Sequence, residues 1–244
     1  MELIILVTAT FLLAGTVKGV IGMALPTVSL GILAATVGLK EAIILMLVPS
    51  FATNVWQAVV GGRLLALLKR LWSVLASMAV GIWFATAALA MADTSILAAL
   101  LGATLVVYAI VGLTTPGLPE PGGMEPAISP IVGGTTGVLA GLTGSTVIPI
   151  VPYLQAMRLP RDELIQAMGI CFSWAALGIG VALGGRSLFP PELGLLSAIG
   201  VIPAFIGMAF GQKLRKRLSE QRFKQVLFVS MAILGVYIAG RALS

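Results

Sequence analysis

The sequence predicts an all-α, polytopic membrane protein made of two inverted repeats, each a broken, re-entrant helical hairpin plus three transmembrane helices. Three observations carry this reading. The 244 residues are 59% hydrophobic and only 10% charged, with mean hydropathy +1.08, whereas soluble domains carry roughly 25% charged residues. Several apolar runs reach the length of about 20 residues that crosses a bilayer core. A glycine and proline pattern in the first half returns in the second.

The first apolar run, 3–37, is too long for one span and too short for two ordinary ones. Gly15, Lys18, Gly19, Gly22 and Pro26 interrupt it, so two short helices, 3–21 and 24–37, are expected to fold as a hairpin. A span follows at 41–60 and ends at Gly61-Gly62-Arg63. A basic loop with Lys69 and Arg70 leads to a span at 71–90, and a tight turn at Asp93 to one at 96–113. The linker 114–126 holds Pro116, Pro119, Pro121 and Pro126, so it cannot be helical throughout. A second broken segment, 127–157, precedes spans at 163–183, 193–212 and 223–242. The chain thus divides into a first repeat, 1–113, the Pro-rich linker 114–126, and a second repeat, 127–244, within one integral membrane domain.

The repeat is visible residue by residue. Gly15, Gly19 and Gly22 fall on Gly137, Gly141 and Gly144 at a shift of 122. One inserted residue then sets Pro26 on Pro149, and Gly61-Gly62-Arg63 on Gly184-Gly185-Arg186. Internal duplication is common in transporters. The loop charges orient the halves. Arg63, Lys69 and Arg70 precede the third span of the first half, whereas the basic cluster Lys213, Arg215, Lys216, Arg217, Arg222 and Lys224 follows its counterpart. By the positive-inside rule, equivalent loops then face opposite sides, which needs an odd number of crossings per half. Three spans plus a two-legged hairpin give five. Both termini are therefore expected outside the cytoplasm, with Arg63, Lys69, Arg70, Arg158, Arg161 and the 213–224 cluster inside. Lys40, Arg186 and Arg241 fall outside.

The broken segments are the candidates for chemistry. Lys18 lies deep in an apolar run, where a lysine costs about 2.5–3.5 kcal/mol on insertion scales. All nine acidic residues lie near segment ends or in loops, so a cation there suits an anionic substrate. The competing reading is a lysine near the hairpin mouth that snorkels to the headgroups. Its counterpart is Ala140, so such a site is asymmetric. Gly19, Gly22 and Pro26 in one segment, with Gly141 and Gly144 in the other, mark helix breaks. Breaks free backbone amides, and two facing helix N-termini favour an anion. The second segment adds the hydroxyls of Thr135, Thr136, Thr143, Ser145 and Thr146, which donate to oxyanion oxygens without adding charge. Against this, small residues also serve simply to let membrane helices pack closely.

The span 41–60 carries a polar stripe. Ser50, Thr53, Asn54 and Gln57 share one helical face, and Pro49 weakens the helix beside them. A hydrogen-bond seam between helices is the plainer explanation. On the counterpart span, Gln166 and Ser173 share a face, while Trp56 and Trp174 either wall a cavity or pack. Glu41 and Glu163 are the few candidate proton carriers, though their places suit N-terminal helix charges.

The absences exclude other classes. Without histidine there is no histidine metal site, Ser-His catalysis or histidine relay. The single cysteine, Cys171, can form neither an intramolecular disulfide nor a thiolate zinc site, and reads as a small buried hydrophobe. The sequence has no P-loop pattern, so no ATP hydrolysis of that kind is expected. Met1-Glu2 begins without a basic n-region, so no signal peptide is expected.

The paired Gly-x-x-x-Gly-x-x-Gly…Pro patterns, the span with Asn54, and the closing Pro203…Gly207…Gly211…Leu214…Leu218 run with Phe223 resemble the sulfite exporter TauE/SafE family of membrane permeases. The resemblance covers nearly the whole chain. The family's glycine run is thinner here, with Gly22-Met23-Ala24 and Gly144-Ser145-Thr146 in its place. What it implies is transport of sulfur-containing anions such as sulfite or organosulfonates. The expected function is therefore a secondary transporter of a small anion in the inner membrane, not an enzyme, and with no cofactor. Its expected partners are the anion and the lipid bilayer. Nucleic acid is excluded, and a homo-oligomer is left open. A passive anion channel, an intramembrane enzyme and a non-transporting scaffold are the rivals.

Overall fold

The computed structural model describes residues 1–114, 118–215 and 219–243. Pro116 of the linker, Lys216 and Arg217 of the basic cluster, and Leu218 of the closing pattern lie outside the described residues. Among the described residues there are eleven α-helices, one 3-10 turn at Gly122–Met124, and no strand. The first half runs α1 (Glu2–Ile21), α2 (Leu25–Thr36), α3 (Leu39–Val60), α4 (Leu64–Met91) and α5 (Thr94–Thr114). The second runs α6 (Glu125–Thr143), α7 (Ile150–Ala156), α8 (Arg161–Gly184), α9 (Pro191–Ile199), α10 (Val201–Arg215) and α11 (Glu220–Leu243). Among the described residues, seven stretches are long and apolar enough to cross a membrane. These are α1, α3, α4, α5, α8, the α9–α10 pair and α11.

The broken segments end their first helices in the same way. Gly22 takes φ 92° and its N–H returns to Lys18 O at 2.7 Å. Gly144 takes φ 76° and its N–H returns to Ala140 O at 2.8 Å. Glycine is favoured in this left-handed cap because a Cβ would crowd the backbone. Proline then stands in the opening turn of α2, where its missing N–H costs nothing.

Two local expectations change. Lys69 and Arg70 are not in a loop but in the second turn of α4, which begins at Leu64. They are exposed there, and Arg70 pairs with Glu125, so their charge is carried on a helix surface. The expected span at 193–212 is two helices, with the break at Gly200.

The chain forms two compact units. One contains Met1–Ser50, Ala92–Thr114 and Phe189–Ser244, and the other Phe51–Met91 and Thr115–Leu188. Each unit draws on both halves of the sequence.

In the first unit α1 crosses α10, and α5 runs against α11. Gly15 and Gly19 lie so close to the carbonyls of Ala204 and Met208 that neither has room for a Cβ. Gly207 and Gly211 stand likewise against the carbonyls of Leu12 and Thr16. Gly102 of α5 and Gly235 of α11 face each other's carbonyl. Tyr108 meets Phe228 edge-on, with ring centroids 5.3 Å apart.

In the second unit α4 crosses α6, with α8 beside α4. Gly137 and Gly141 lie against the carbonyls of Met78 and Ile82, and Gly81 against that of Gly134. α7 returns to the N-terminal part of α6, where the Tyr153 and Ser129 hydroxyls hydrogen-bond at 2.6 Å.

Candidate functional site

In the first unit the α1 break carries Lys18, Gly19 and Gly22, with Pro26 beyond it. Lys18 is 1% exposed, in the last turn of α1. Gly19 is taken up by the α10 crossing, and Gly22 by the cap. Ala24, the residue just before α2, holds φ 82°, a left-handed conformation that a non-glycine residue adopts only at a cost. Pro26 and Ser29 are buried behind it, and the Ser29 hydroxyl is satisfied by Leu25 O at 2.8 Å. Ser50 is buried on α3, one residue past Pro49.

In the second unit Thr53 and Asn54 are buried and Gln57 half-buried on the continuing helix. Gly169 of α8 lies over this face: an added Cβ would meet Gln57 Cβ at 2.9 Å and Asn54 O at 3.0 Å. Ser173 donates to Gly169 O at 2.6 Å. Asn54, Gln57 and Gly169 are thus brought together where α3 and α8 approach, while the contact of Ser173 is within α8. Gln166 has a structural task. It donates to Ala58 O at 2.6 Å and accepts from Arg63 N at 3.0 Å, which satisfies the end of α3. Trp56 and Trp174 are both well exposed, and Trp174 donates to Leu75 O at 2.8 Å. Glu163 pairs with Arg63 at 3.2 Å.

The α6 break is the most polar buried feature of this unit. Thr136, Thr143, Ser145 and Thr146 are all buried, while Thr135 is exposed. Thr143 donates to Leu139 O at 2.7 Å and accepts from Ser145 N at 3.2 Å. Thr136 Oγ1 and Ser145 Oγ are buried with no hydrogen-bond partner among the described residues. A buried hydroxyl without a partner costs about 1–3 kcal/mol. One lies on α6, about two turns before its end, and the other just past that end. Gly141 is occupied differently, by the crossing with Ile82 and Ala85 of α4, and Gly144 by the cap.

Three contacts carried no sequence signal that singled them out. They are the Ser129–Tyr153 hydroxyl pair, the Arg70–Glu125 ion pair at 2.7 Å, and the Ser197 hydroxyl on Leu45 O at 2.7 Å. Only Arg70 and Glu125, as scarce charges in an apolar chain, were conspicuous.

The family model for the sulfite exporter TauE/SafE matches residues 7–238. The chain belongs to the sulfite exporter TauE/SafE family. No curated protein and no solved structure matches it. Membership of the TauE/SafE family makes this a multi-pass membrane protein of a transport family, in keeping with its seven membrane-capable stretches. The glycine patterns that carried the resemblance lie inside the matched range, and six of their glycines close the two TauE/SafE helix crossings described above.

Proposed function

We propose that this TauE/SafE protein is a secondary transporter that moves a small sulfur-containing anion, such as sulfite or an organosulfonate, across the inner membrane by alternating access. The observation that carries the reading is the two buried hydroxyls without a partner among the described residues, Thr136 Oγ1 on α6 and Ser145 Oγ just past its end. Hydroxyls of this kind suit the oxygens of a sulfur oxyanion, and burial strengthens each hydrogen bond they make. Gly141, Thr143, Gly144 and Thr146 flank Ser145 in sequence, and Thr53, Asn54, Gln57 and Ser173 belong to the same compact unit. In the other unit, Lys18, Gly19, Gly22, Pro26 and Ser50 are the substrate residues we assign, with Lys18 supplying positive charge.

Inverted repeats, the frame on which such transporters rock, are supported by the reciprocal crossings. A shift of 122 carries Leu12, Gly15 and Gly19 of α1 onto Gly134, Gly137 and Gly141 of α6. A shift of 126 carries Met78, Gly81 and Ile82 of α4 onto Ala204, Gly207 and Met208 of α10. The approaches of Gly15, Gly19 and Gly207 to their facing carbonyls thus have counterparts in those of Gly137, Gly141 and Gly81. The loop charges favour opposite orientations of the two halves.

Purified protein in liposomes should take up sulfite, and Thr136→Val and Ser145→Ala should each raise the sulfite concentration needed for half-maximal flux. Flux that never accumulates sulfite against its gradient supports a channel instead. Unchanged half-saturation in both variants removes the α6 break from the site.

A further inference from the structure

Pro49 lies inside α3, and a proline has no N–H to give the carbonyl four residues back. That carbonyl belongs to Leu45, which is fully buried. A buried carbonyl needs a donor from elsewhere. Ser197 of α9, also fully buried, is that donor: its hydroxyl donates to Leu45 O at 2.7 Å and accepts from Val48 N at 3.2 Å. The fit around it is close. A Cβ on Gly200 would meet Phe11 Cδ2 at 2.6 Å and Pro49 Cγ at 3.0 Å. The break between α9 and α10 therefore lies against the proline of α3, within one compact unit.

The repeat supplies an internal comparison. At the shift of 123 that relates the later spans, Phe172 of α8 stands where α3 has Pro49. At the shift of 126 that relates α4 to α10, Leu71 stands opposite Ser197. The counterpart pair of helices, α8 with α4, thus lacks both the proline and the hydroxyl, as expected if the one exists to serve the other.

We propose that Ser197 is a positioning residue for anion transport: by holding Leu45 O and Val48 N it fixes the turn of α3 that presents Ser50. This rests on the reading of the α3 stripe as substrate-facing. Ser197 touches no substrate in this scheme and acts only through the backbone of α3. Losing it leaves the Leu45 carbonyl to seek another donor, and the turn carrying Ser50 shifts as it does so.

The test is a pair of substitutions, alone and together, in full-length protein reconstituted in liposomes. Ser197→Ala should raise the half-saturating sulfite concentration about five- to tenfold, with a smaller change in maximal rate. Pro49→Ala restores the helical N–H to Leu45 O, so Ser197→Ala added to it should change half-saturation no further. An unchanged half-saturation in Ser197→Ala, or an equal effect in both backgrounds, overturns the proposal. A second readout does not depend on transport. In a Cys171→Ala background, the rate at which a thiol reagent labels Ser50→Cys should change several-fold when Ser197→Ala is added. An unchanged labelling rate overturns the proposal even if the wild type moves no sulfite, whereas absent flux with a changed rate removes only the choice of substrate.

Discussion

The hydroxyls of Ser129 on α6 and Tyr153 on α7 share one buried hydrogen bond of 2.6 Å. α7 is only seven residues long, too short to hold its place by its own hydrogen bonds. Tyr153→Phe should lower stability by about 1 kcal/mol, read as a lower melting temperature in detergent. The double variant Ser129→Ala/Tyr153→Phe should cost no more than about the larger single change, because both remove one interaction. Additive losses would show that the two hydroxyls act separately.

The helix crossings set a second expectation. Gly15→Val and Gly137→Val each place atoms inside a facing backbone, so both should abolish the monodisperse species seen in size exclusion. Gly180→Ala is the control, because an added Cβ there meets nothing within 4 Å. It should be neutral, or stabilise α8 by up to about 1 kcal/mol through helix propensity.

Ala24 offers a change in the opposite direction. Its φ of 82° is one that glycine adopts without a steric penalty. Ala24→Gly should raise the melting temperature, with a gain of about 1 kcal/mol from the strain released. A lower melting temperature would mean that the methyl group's packing outweighs that strain.

Lys18 is the buried lysine of the α1 break. Lys18→Ala should reduce sulfite flux by about tenfold or more, the scale of a hydrogen bond to a charged group, while the protein still purifies as a folded species. Flux at the wild-type level would remove Lys18 from the mechanism.

Orientation is open to direct chemical test. In a Cys171→Ala background, Asp93→Cys should react with an impermeant maleimide on intact cells, and Ser219→Cys only after permeabilisation. Both positions lie beside helix ends, at the starts of α5 and α11. Labelling of both from the same side would contradict the odd number of crossings per half.

Most of the helices were legible, because a span of apolar residues has one signature whatever it packs against. Gly22 and Gly144 were also readable as breaks, since a left-handed cap demands glycine locally. What Gly15, Gly19, Gly137 and Gly141 do was not. A glycine that opens a site and one that admits a neighbouring helix look alike until the neighbour is seen, and here each of the four lies against a backbone carbonyl. The start of α4 was hidden by Lys69 and Arg70, whose charge imitates a loop but rides on a helix surface. Ser197 and Tyr153 gave no warning, because their partners, Leu45 and Ser129, lie far off in the chain or are unremarkable in it. The buried hydroxyls of Thr136 and Ser145 were anticipated by residue type, and their lack of a partner came only with the packing.

The crossing of α1 with α10 also sets an order of assembly. Gly15 emerges from the ribosome early, yet the carbonyl it packs against belongs to Ala204. At about 5–20 residues per second, α1 waits about 10–40 s before its partner exists. The α4–α6 crossing closes much sooner, since Met78 and Gly137 are far nearer in the chain. During synthesis the second unit can therefore settle while the first is still an unmatched helix in lipid. A chain that stops before α10 leaves α1 with its glycine groove open, a natural target for quality-control proteases.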